Sequence, residues 1–316
     1  MTAPQDGQTR TIQVPPEQFR STPITMYHLA GRSSVTEDAL DATTKVGIGS
    51  AFFYHLDGQL FLVTARHCFS ARSWETGQFM PGSGSVEPTH VELSIRKRPA
   101  DGKWNMREPA LATRLLLPLL DEDGQPRWFE HPQAGAGVDV AALPLPASVA
   151  DDELLMIEAY SPPPTDDQAA RLDAAVAKDV FVIGYPFGLQ SGFMMPLWVR
   201  GTIASEPAMY YTHTNCVTRC EQVLPVVIID ARTREGQSGS PTILYQPPLT
   251  PIYTNSGQLG LTTGGVSRLL GVYSGRTGTD SDLGFVWRIE TIDVLCRAAT
   301  RARLDYKWPL PEFPPV

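Results

Sequence analysis

The chain has 316 residues and a formal net charge of −8. This length allows one large all-β domain or two smaller units around a buried core. The acidic balance argues against a dedicated nucleic-acid binder, which needs clustered Lys and Arg, and no apolar run reaches the roughly 20 residues that span a bilayer. The polar N-terminus lacks a signal-peptide pattern, so we expect a cytoplasmic protein with neither nucleic acid nor membrane as its partner.

The four cysteines are too few and too irregularly spaced for a disulfide framework, which is typical of a reducing compartment. They are Cys68, Cys216, Cys220 and Cys296. His213 forms an H-x2-C-x3-C cluster with Cys216 and Cys220. Because no fourth ligand lies nearby in the sequence, we expect no metal site there.

Hydrophobic patterning predicts short strands in the first half of the chain. Residues 1–22 lack apolar periodicity and are predicted to form a flexible arm. Residues 46–54 and 59–64 are predicted to pair as a hairpin with Asp57 and Gly58 in its turn. The other predicted elements of this half are strands at 23–29, 91–98 and 138–145 and long surface loops at 72–88 and 100–136.

A proline-rich linker that begins at Ser161 is the predicted boundary between two units. A short helix opened by Asp166 and Asp167 is predicted next. Many short strands follow, which favours barrels or sandwiches over βαβ units. A final helix is predicted at 290–303 and a proline-rich tail at 304–316. The strands in between are predicted at 180–184, 197–204, 223–230, 241–245, 268–274 and 284–289.

Three motifs supply the residue types that acyl transfer to a serine requires: a nucleophile on a tight turn, a base, an acid that orients the base, and oxyanion donors. GQSGSP contains Ser238 between glycines, so the backbone N–H groups of Gly236 and Ser238 can face a developing negative charge. FLVTARHC ends an apolar strand with His67, and VDVAALPL contains Asp139, a charge at the start of a buried strand. Such a charge needs hydrogen-bond donors, and the ring N–H of His67 is the expected one.

These motifs, in the order TARHC, VDVAALPL and GQSGSP, resemble those of the chymotrypsin-fold serine peptidases. VIGYPFG, VRGTIAS, LLGVYSG and LGFVWRI are similar to segments of the bacterial HtrA-like and glutamyl-endopeptidase-like groups, and the resemblance covers residues 46–303. It implies an all-β fold of two six-stranded antiparallel β-barrels, at 23–165 and 166–303, with the active site in the cleft between them and a C-terminal helix. It also implies a serine endopeptidase with the triad His67, Asp139 and Ser238, which cleaves protein or peptide substrates without a cofactor.

Two departures from the family pattern carry expectations of their own. Gln237 stands where zymogen-type members have an aspartate that pairs with a new N-terminus, so we do not expect activation by N-terminal cleavage. Cys68 usually pairs with a cysteine on the preceding strand, but that strand has none here, so Cys68 is expected to be a buried small hydrophobe. Because no inhibitory module is evident, control by a regulatory protein partner or by loops that form the oxyanion hole on a signal is a further hypothesis.

The resemblance also assigns a specificity pocket, in which no aspartate selects a basic side chain. Thr233 and two arginines would suit an acidic side chain, as a threonine does in glutamyl endopeptidases, although Tyr273 stands where those enzymes typically have a histidine. The alternative is that both arginines point to solvent and the pocket takes small apolar residues. The predicted lining is Arg232, Thr233, Ser274, Gly275, Arg276 and Gly284.

A second hypothesis comes from another functional class. The chain would then be a protease-fold binding or scaffold protein, in which the long loops at 72–88 and 100–136 make the functional contacts. Such proteins usually lose a member of the triad. All three residue types are present here, which favours the enzyme.

Overall fold

The computed structural model describes residues 14–29, 44–98, 112–308 and 310. This part of the chain is mostly β, with two large antiparallel units of six strands each. The strands are β1 Ser21–His28, β2 Thr44–Leu56, β3 Gln59–Thr64, β4 His90–Arg96, β5 Ala112–Pro118, β6 Ala141–Pro144, β7 Ala170–Arg171, β8 Asp179–Gly184, β9 Leu197–Ile203, β10 Tyr211–Thr214, β11 Glu221–Leu224, β12 Val226–Ala231, β13 Pro241–Gln246, β14 Pro251–Thr254, β15 Leu259–Leu261, β16 Val266–Arg276 and β17 Leu283–Arg288. The helices are α1 Arg66–Ser70, α2 Ala147–Ala150 and α3 Ile289–Ala298.

The first unit is a sheet with the strand order β5-β4-β1-β2-β3-β6. Its central hairpin, β2 and β3, turns at Asp57 and Gly58, whose φ angles of 49° and 84° suit the tight hairpin turn that the Asp-Gly pair favours. Successive residues of β2 point to opposite faces, and both faces are buried. Phe53 packs into the core of the sheet with Leu62, whereas Phe52 faces the second unit.

The second unit is a closed barrel with the strand order β12-β17-β16-β13-β8-β9. Its strands alternate between two environments because the side-chain period of a strand is two. Val180 and Val182 of β8 lie in the barrel-interior cluster, whereas Ile183 packs outside it. The members of the barrel-interior cluster are Val180, Val182, Ile203, Val227, Ile229, Ala231, Leu244, Leu270, Tyr273 and Val286.

A third hydrophobic cluster, here called the interface cluster, joins the two units. It takes alternate residues of β2 and β3 from the sheet, outward-facing residues from the barrel and one face of α3. The motifs that contain His67, Asp139 and Ser238 therefore lie next to elements that share this buried layer. Its largest members include Phe52, Tyr54, Phe61, Ile183, Ile228, Phe285, Trp287, Ile292 and Leu295.

The all-β fold class with two six-stranded units and a C-terminal helix is confirmed. The closed barrel is the second unit, and the first is an antiparallel sheet with β5 and β6 at its edges. Within the residues that the structure describes, no helix is long and apolar enough to cross a membrane.

Several element boundaries differ from the predictions. The helix predicted after Ser161 is wrong, because residues 166–169 form a turn that leads into β7. The predicted strand at 223–230 is two strands, β11 and β12, because Pro225 interrupts it. The last helix, α3, ends at Ala298, where Ala299 adopts a left-handed conformation.

Two segments that were predicted to be unstructured contain strands. β1 begins at Ser21, inside the span predicted as a flexible arm, and Glu17 before it is already buried. β5 lies within the predicted surface loop at 100–136. Residues 1–13 of the predicted arm lie outside the described residues, as do 99–111 and most of the tail.

Candidate active site

The strand β3 leads into the short helix α1, whose second residue is His67. Asp139 lies just before β6, the neighbour of β3 in the sheet, so the two side chains approach each other. The ring Nδ1 of His67 is 2.7 Å from Asp139 Oδ2, and the backbone N–H of His67 donates to Asp139 Oδ1 at 2.8 Å. The predicted pair is therefore assembled, and the buried carboxylate receives two hydrogen bonds from one residue.

The environment of His67 favours its protonated form. Burial alone would lower the pKa of His67, but the neighbouring Asp139 carboxylate outweighs burial, and the pKa of His67 lies well above its usual value. The geometry fixes the tautomer as well. With Nδ1 donating to Asp139, Nε2 of the neutral ring is left as the acceptor, which is the nitrogen that a general base needs.

Ser238 lies on the loop between β12 and β13. Its backbone carbonyl accepts from the backbone N–H of Ser50 at 2.9 Å and is 3.9 Å from the sulfur of Cys68, the residue after His67. The hydroxyl of Ser238 donates to the carbonyl of Ser274 at 3.1 Å. Within the described residues, no hydrogen bond joins this hydroxyl to His67.

The predicted oxyanion donors make no hydrogen bonds within the part of the chain that the structure describes. Among the residues described, the backbone N–H groups of Gly236 and Ser238 donate to no acceptor. The carbonyl of Glu235 accepts from the N–H of Phe187 at 2.6 Å. Because the C=O and N–H of one peptide plane point in opposite directions, this contact turns the N–H of Gly236 away from Phe187. The φ of Gly236 is +89°, a conformation that a side chain would strain.

Ser50 of β2 binds the same loop and was not singled out in the sequence. Its hydroxyl, fully buried, donates to the carbonyl of Gly236 at 2.7 Å and accepts from the N–H of Tyr185 at 3.0 Å. Since its N–H also donates to Ser238, Ser50 contacts the nucleophile loop at two points. No local signal could have identified it, because Ser50 and Gly236 are 186 positions apart.

The floor of the predicted specificity pocket contains two hydroxyl groups. Thr233 is fully buried, and its hydroxyl is hydrogen-bonded to the hydroxyl of Tyr273. Burial raises the pKa of Tyr273 to about 12. The Tyr273 ring also covers Gly284, since a Cβ on that glycine would lie 2.6 Å from the ring. The structure brings Thr233 and Gly284 together around Tyr273.

The two arginines of the predicted pocket are both exposed. The side chain of Arg232 is 85% exposed and lies 3.9 Å from the Asp282 carboxylate, and Arg276 is exposed. Burial raises the pKa of Tyr273, and the nearby charge of Arg276 acts in the opposite direction, so Arg276 lies on the Tyr273 side of the predicted pocket. Ser274 and Gly275 belong to β16, and Ser274 contacts Ser238. The Ser274 hydroxyl accepts from the indole N–H of Trp287 at 3.1 Å.

Gln237 and Cys68 occupy the positions that depart from the family pattern. The side-chain oxygen of Gln237 accepts from the backbone N–H of Arg234 at 2.8 Å, so this amide closes its own loop. Cys68 is free and buried, as predicted. A Cβ placed on Gly49 would lie 3.0 Å from the sulfur of Cys68.

The His213 cluster is bound to the loop after α1. His213 Nε2 lies 2.6 Å from Glu75 Oε1, and the ring of His213 packs against Trp74. Cys216 and Cys220 are free and exposed. Across the described part of the chain, no group of three or more His, Cys, Asp or Glu side chains is arranged to hold a metal ion.

The profile of the trypsin-like peptidase domain matches residues 49–246, more than half of the chain. No curated protein sequence matches significantly.

The solved structures that align with this chain include two proteases. The active form of the Rv3671c protease from M. tuberculosis is 17% identical, with 95% of this chain and 96% of that chain covered and a TM-score of 0.42. The serine endoprotease from Yersinia pestis is 12% identical, with 91% and 67% covered and a TM-score of 0.39. The chain belongs to the trypsin-like peptidase family, within the chymotrypsin-like serine peptidase superfamily.

Proposed function

We propose that the protein is a serine endopeptidase that cleaves protein substrates through an acyl-enzyme. Ser238 is the proposed nucleophile, His67 the base and then the acid, and Asp139 the residue that orients His67. The observation that carries the proposal is the pair of hydrogen bonds between His67 and Asp139, at 2.8 and 2.7 Å. It is supported by the Ser238 loop, where the backbone N–H groups of Gly236 and Ser238 donate to no acceptor among the residues described.

The reaction begins with a rotation of one side chain. A turn about χ1 of Ser238 releases its hydroxyl from the Ser274 carbonyl and points it toward Nε2 of His67. Catalytic hydrogen bonds are often absent before substrate binds, so the resting bond to Ser274 is compatible with this role. His67 then takes the hydroxyl proton as Ser238 attacks the carbonyl carbon of the substrate.

The tetrahedral intermediate carries a negative oxygen. The N–H groups of Gly236 and Ser238 are the proposed donors to it. His67 passes its proton to the leaving amine, the C–N bond breaks and an acyl-enzyme forms. A water molecule, deprotonated by His67, then hydrolyses the ester and returns Ser238 to its hydroxyl form.

The substrate preference that we propose is a small, uncharged side chain before the cleaved bond. Three observations support it over an acidic side chain: Arg232 is 85% exposed, the Thr233 hydroxyl is already bound to Tyr273, and the Tyr273 ring covers Gly284. A panel of peptides that differ at this residue tests the preference. Cleavage after Glu faster than after Ala contradicts it.

The activity is tested by labelling the purified chain with a fluorophosphonate probe under reducing conditions. Wild type and Ser205→Ala should be labelled, and Ser238→Ala should not. Ser205 is the matched control, because its hydroxyl only accepts from the backbone N–H of Ile228. Full labelling without an effector contradicts the hypothesis of control by a protein partner.

A latent or scaffold protein is the second candidate, and one observation favours it. The Ser238 hydroxyl is bound to Ser274 and not to His67 in the described chain. Absence of labelling in a folded wild-type protein would support this candidate and contradict the active endopeptidase.

A further inference from the structure

A buried ionic network lies directly beside the candidate base. Arg66, the residue before His67, is 3% exposed, and its Nε donates to Glu130 Oε2 at 3.0 Å. Its Nη2 donates to the backbone carbonyl of Arg303 at 2.9 Å. The Arg66 guanidinium also lies over the rings of Trp128 and Tyr306, 5.4 Å from each centroid. A guanidinium can make these contacts at once because its donors are fixed in one plane.

The chain after α3 supplies half of this network. This C-terminal segment, residues 300–306, runs along residues 128–130, with the backbone N–H of Glu130 donating to Thr300 and that of Ala302 to Trp128, each at 3.0 Å. Glu130 Oε1 accepts from the backbone N–H of Arg303 at 3.0 Å and from the hydroxyl of Tyr306. Both Glu130 oxygens therefore accept hydrogen bonds from the network, and Oε2 is also ion-paired with Arg66.

Residues 128–130 and the C-terminal segment also contact the chain on either side of Asp139. Phe129 exchanges two backbone hydrogen bonds with Ala142 of β6, three residues after Asp139. The Tyr306 hydroxyl lies against Gly135, where any Cβ would collide with it. Both partners of the His67–Asp139 pair are thus connected to the C-terminal segment.

The helix α1 needs an external support for its orientation. It has five residues and no side-chain cap, and isolated helices of this length are unstable in water. A buried ion pair seldom adds net stability over a packed apolar pair, but it fixes the geometry of the groups that it joins. Arg66 is 3% exposed and joins Glu130, Arg303 and the ring of Tyr306 in one place, so orientation is the property that its contacts can supply.

We propose that Arg66 is a positioning residue for His67, and that residues 300–306 complete its site by holding the Arg66 guanidinium against Glu130. This inference rests on the proposed function, because it assigns the network to the orientation of the candidate base. It predicts that the C-terminal segment is required for the active site although it lies outside residues 49–246, which the family profile matches.

The test uses three full-length variants. Arg66→Lys keeps the charge but loses the planar fork, and Tyr306→Phe removes one hydroxyl from Glu130. Tyr54→Phe is the matched control, because it removes a tyrosine hydroxyl that donates to the Asp293 carboxylate at 2.5 Å, away from α1. Thermal melting establishes that each variant is folded.

Two readouts separate orientation from stability. The first is the low-field proton NMR signal of His67 Nδ1–H with the pKa of His67 from its titration. The second is the rate of fluorophosphonate labelling. For Arg66→Lys and Tyr306→Phe we expect a broadened Nδ1 signal, a pKa of His67 that falls toward its usual value, and labelling slowed by about tenfold or more. For Tyr54→Phe we expect wild-type values.

Each result decides the proposal. Folded Arg66→Lys and Tyr306→Phe with the Nδ1 signal and pKa of Tyr54→Phe would overturn it. If the wild type is not labelled but the signal still depends on Arg66 and Tyr306, the positioning role stands and the endopeptidase activity fails.

Discussion

Asp139 is a buried carboxylate whose two oxygens accept from the backbone and the ring of the same residue, His67. One interaction holds His67 at the start of α1 and the other selects its tautomer. A single carboxylate thereby fixes the position of the proposed base and leaves Nε2 free to accept a proton. The same contact raises the pKa of His67.

The first prediction concerns pH. His67 acts as a base only when neutral, so kcat/KM should rise with pH through a midpoint above 6.5, the usual pKa of histidine. Asp139→Asn removes the charge that favours protonation. The midpoint should then fall, and kcat should drop roughly 10⁴-fold because the tautomer is no longer fixed. pH–rate profiles of the two proteins measure both effects, and an unchanged midpoint in Asp139→Asn would contradict the origin of the shift.

The raised pKa of His67 also determines how the stability of the fold changes with pH. A histidine with a raised pKa in the folded state stabilises that state fully at pH values below its unfolded pKa, and the contribution is lost as pH rises through the folded pKa. Urea unfolding at several pH values should therefore show a decline in stability above the usual histidine range that is smaller in Asp139→Asn.

The second prediction concerns Ser50. Ser50→Ala removes the donor to the Gly236 carbonyl and frees the loop that carries the oxyanion donors. Because the effect is indirect, kcat should fall by about tenfold, less than for loss of an oxyanion donor itself, with little change in KM. Ser205→Ala, which also loses a hydroxyl bound to the backbone, is the control. A rise in KM at constant kcat would show that Ser50 serves substrate binding instead.

At the scale of elements, β2 brings the sheet, α1 and the nucleophile loop together. The backbone of Gly49 lies so close to Cys68 and Ser238 that a Cβ there would be 3.0 Å from the Cys68 sulfur and 3.3 Å from the Ser238 carbonyl. In related peptidases a disulfide is implied at this junction. Here the glycine allows close packing without one.

The third prediction restores that bridge. Gly49→Cys should form a disulfide with Cys68 in oxidising buffer, since a Cβ-to-sulfur separation of 3.0 Å fits a disulfide. The bridge closes a short loop and should stabilise the fold by about 3 kcal/mol. Peptide mapping by mass spectrometry detects it. Gly47→Cys, one strand repeat away and facing Met26, should keep its thiol free. A free thiol in Gly49→Cys would contradict the contact.

Elements whose signal lies in a short stretch of neighbouring residues were predictable from the sequence. Contacts between segments far apart in the sequence were not. The hairpin of β2 and β3 follows from its branched and aromatic residues and its Asp-Gly turn. β5 was missed because it is a partly exposed edge strand without a clear buried face. The wrong helix after Ser161 arose from Asp166, which caps its own turn by accepting from the N–H of Gln168 at 2.7 Å, much as it would cap a helix.

The same limit applies to the candidate site. His67, Asp139 and Ser238 were predicted because each lies in a short motif with its own signal. Ser50 contacts Gly236 across 186 positions, and Arg66 contacts Arg303 across 237, so neither role is visible locally. The one hint for Arg66 is an arginine at the end of an apolar strand. Whether the Arg232 side chain enters the pocket or points to solvent was left open, because the charge of a residue does not show which way its side chain points.

At the scale of the whole molecule, the interface cluster packs the sheet and the barrel against each other in one buried apolar layer. β2 contributes Phe53 to the sheet core and Phe52 to the interface cluster, so loss of the barrel would expose one complete face of the central strand. Tyr54 adds a hydrogen bond from the sheet to Asp293 of α3. A sequence boundary near 165 remains a proposal, and this packing suggests that it separates two sheets rather than two folding units.

The fourth prediction is that the two units unfold cooperatively, and a residue of the barrel-interior cluster tests it. Leu244 packs in the barrel-interior cluster, and Leu244→Ala should lower the free energy of unfolding by about 2–5 kcal/mol. If the two units unfold together, peptides from β4 in the sheet lose protection to the same extent as peptides from β16 in the barrel. Hydrogen exchange followed by mass spectrometry in increasing urea measures both. Loss of protection confined to the barrel peptides would mean that the sheet folds by itself, and that His67 and Asp139 can be held in place without the unit that carries Ser238.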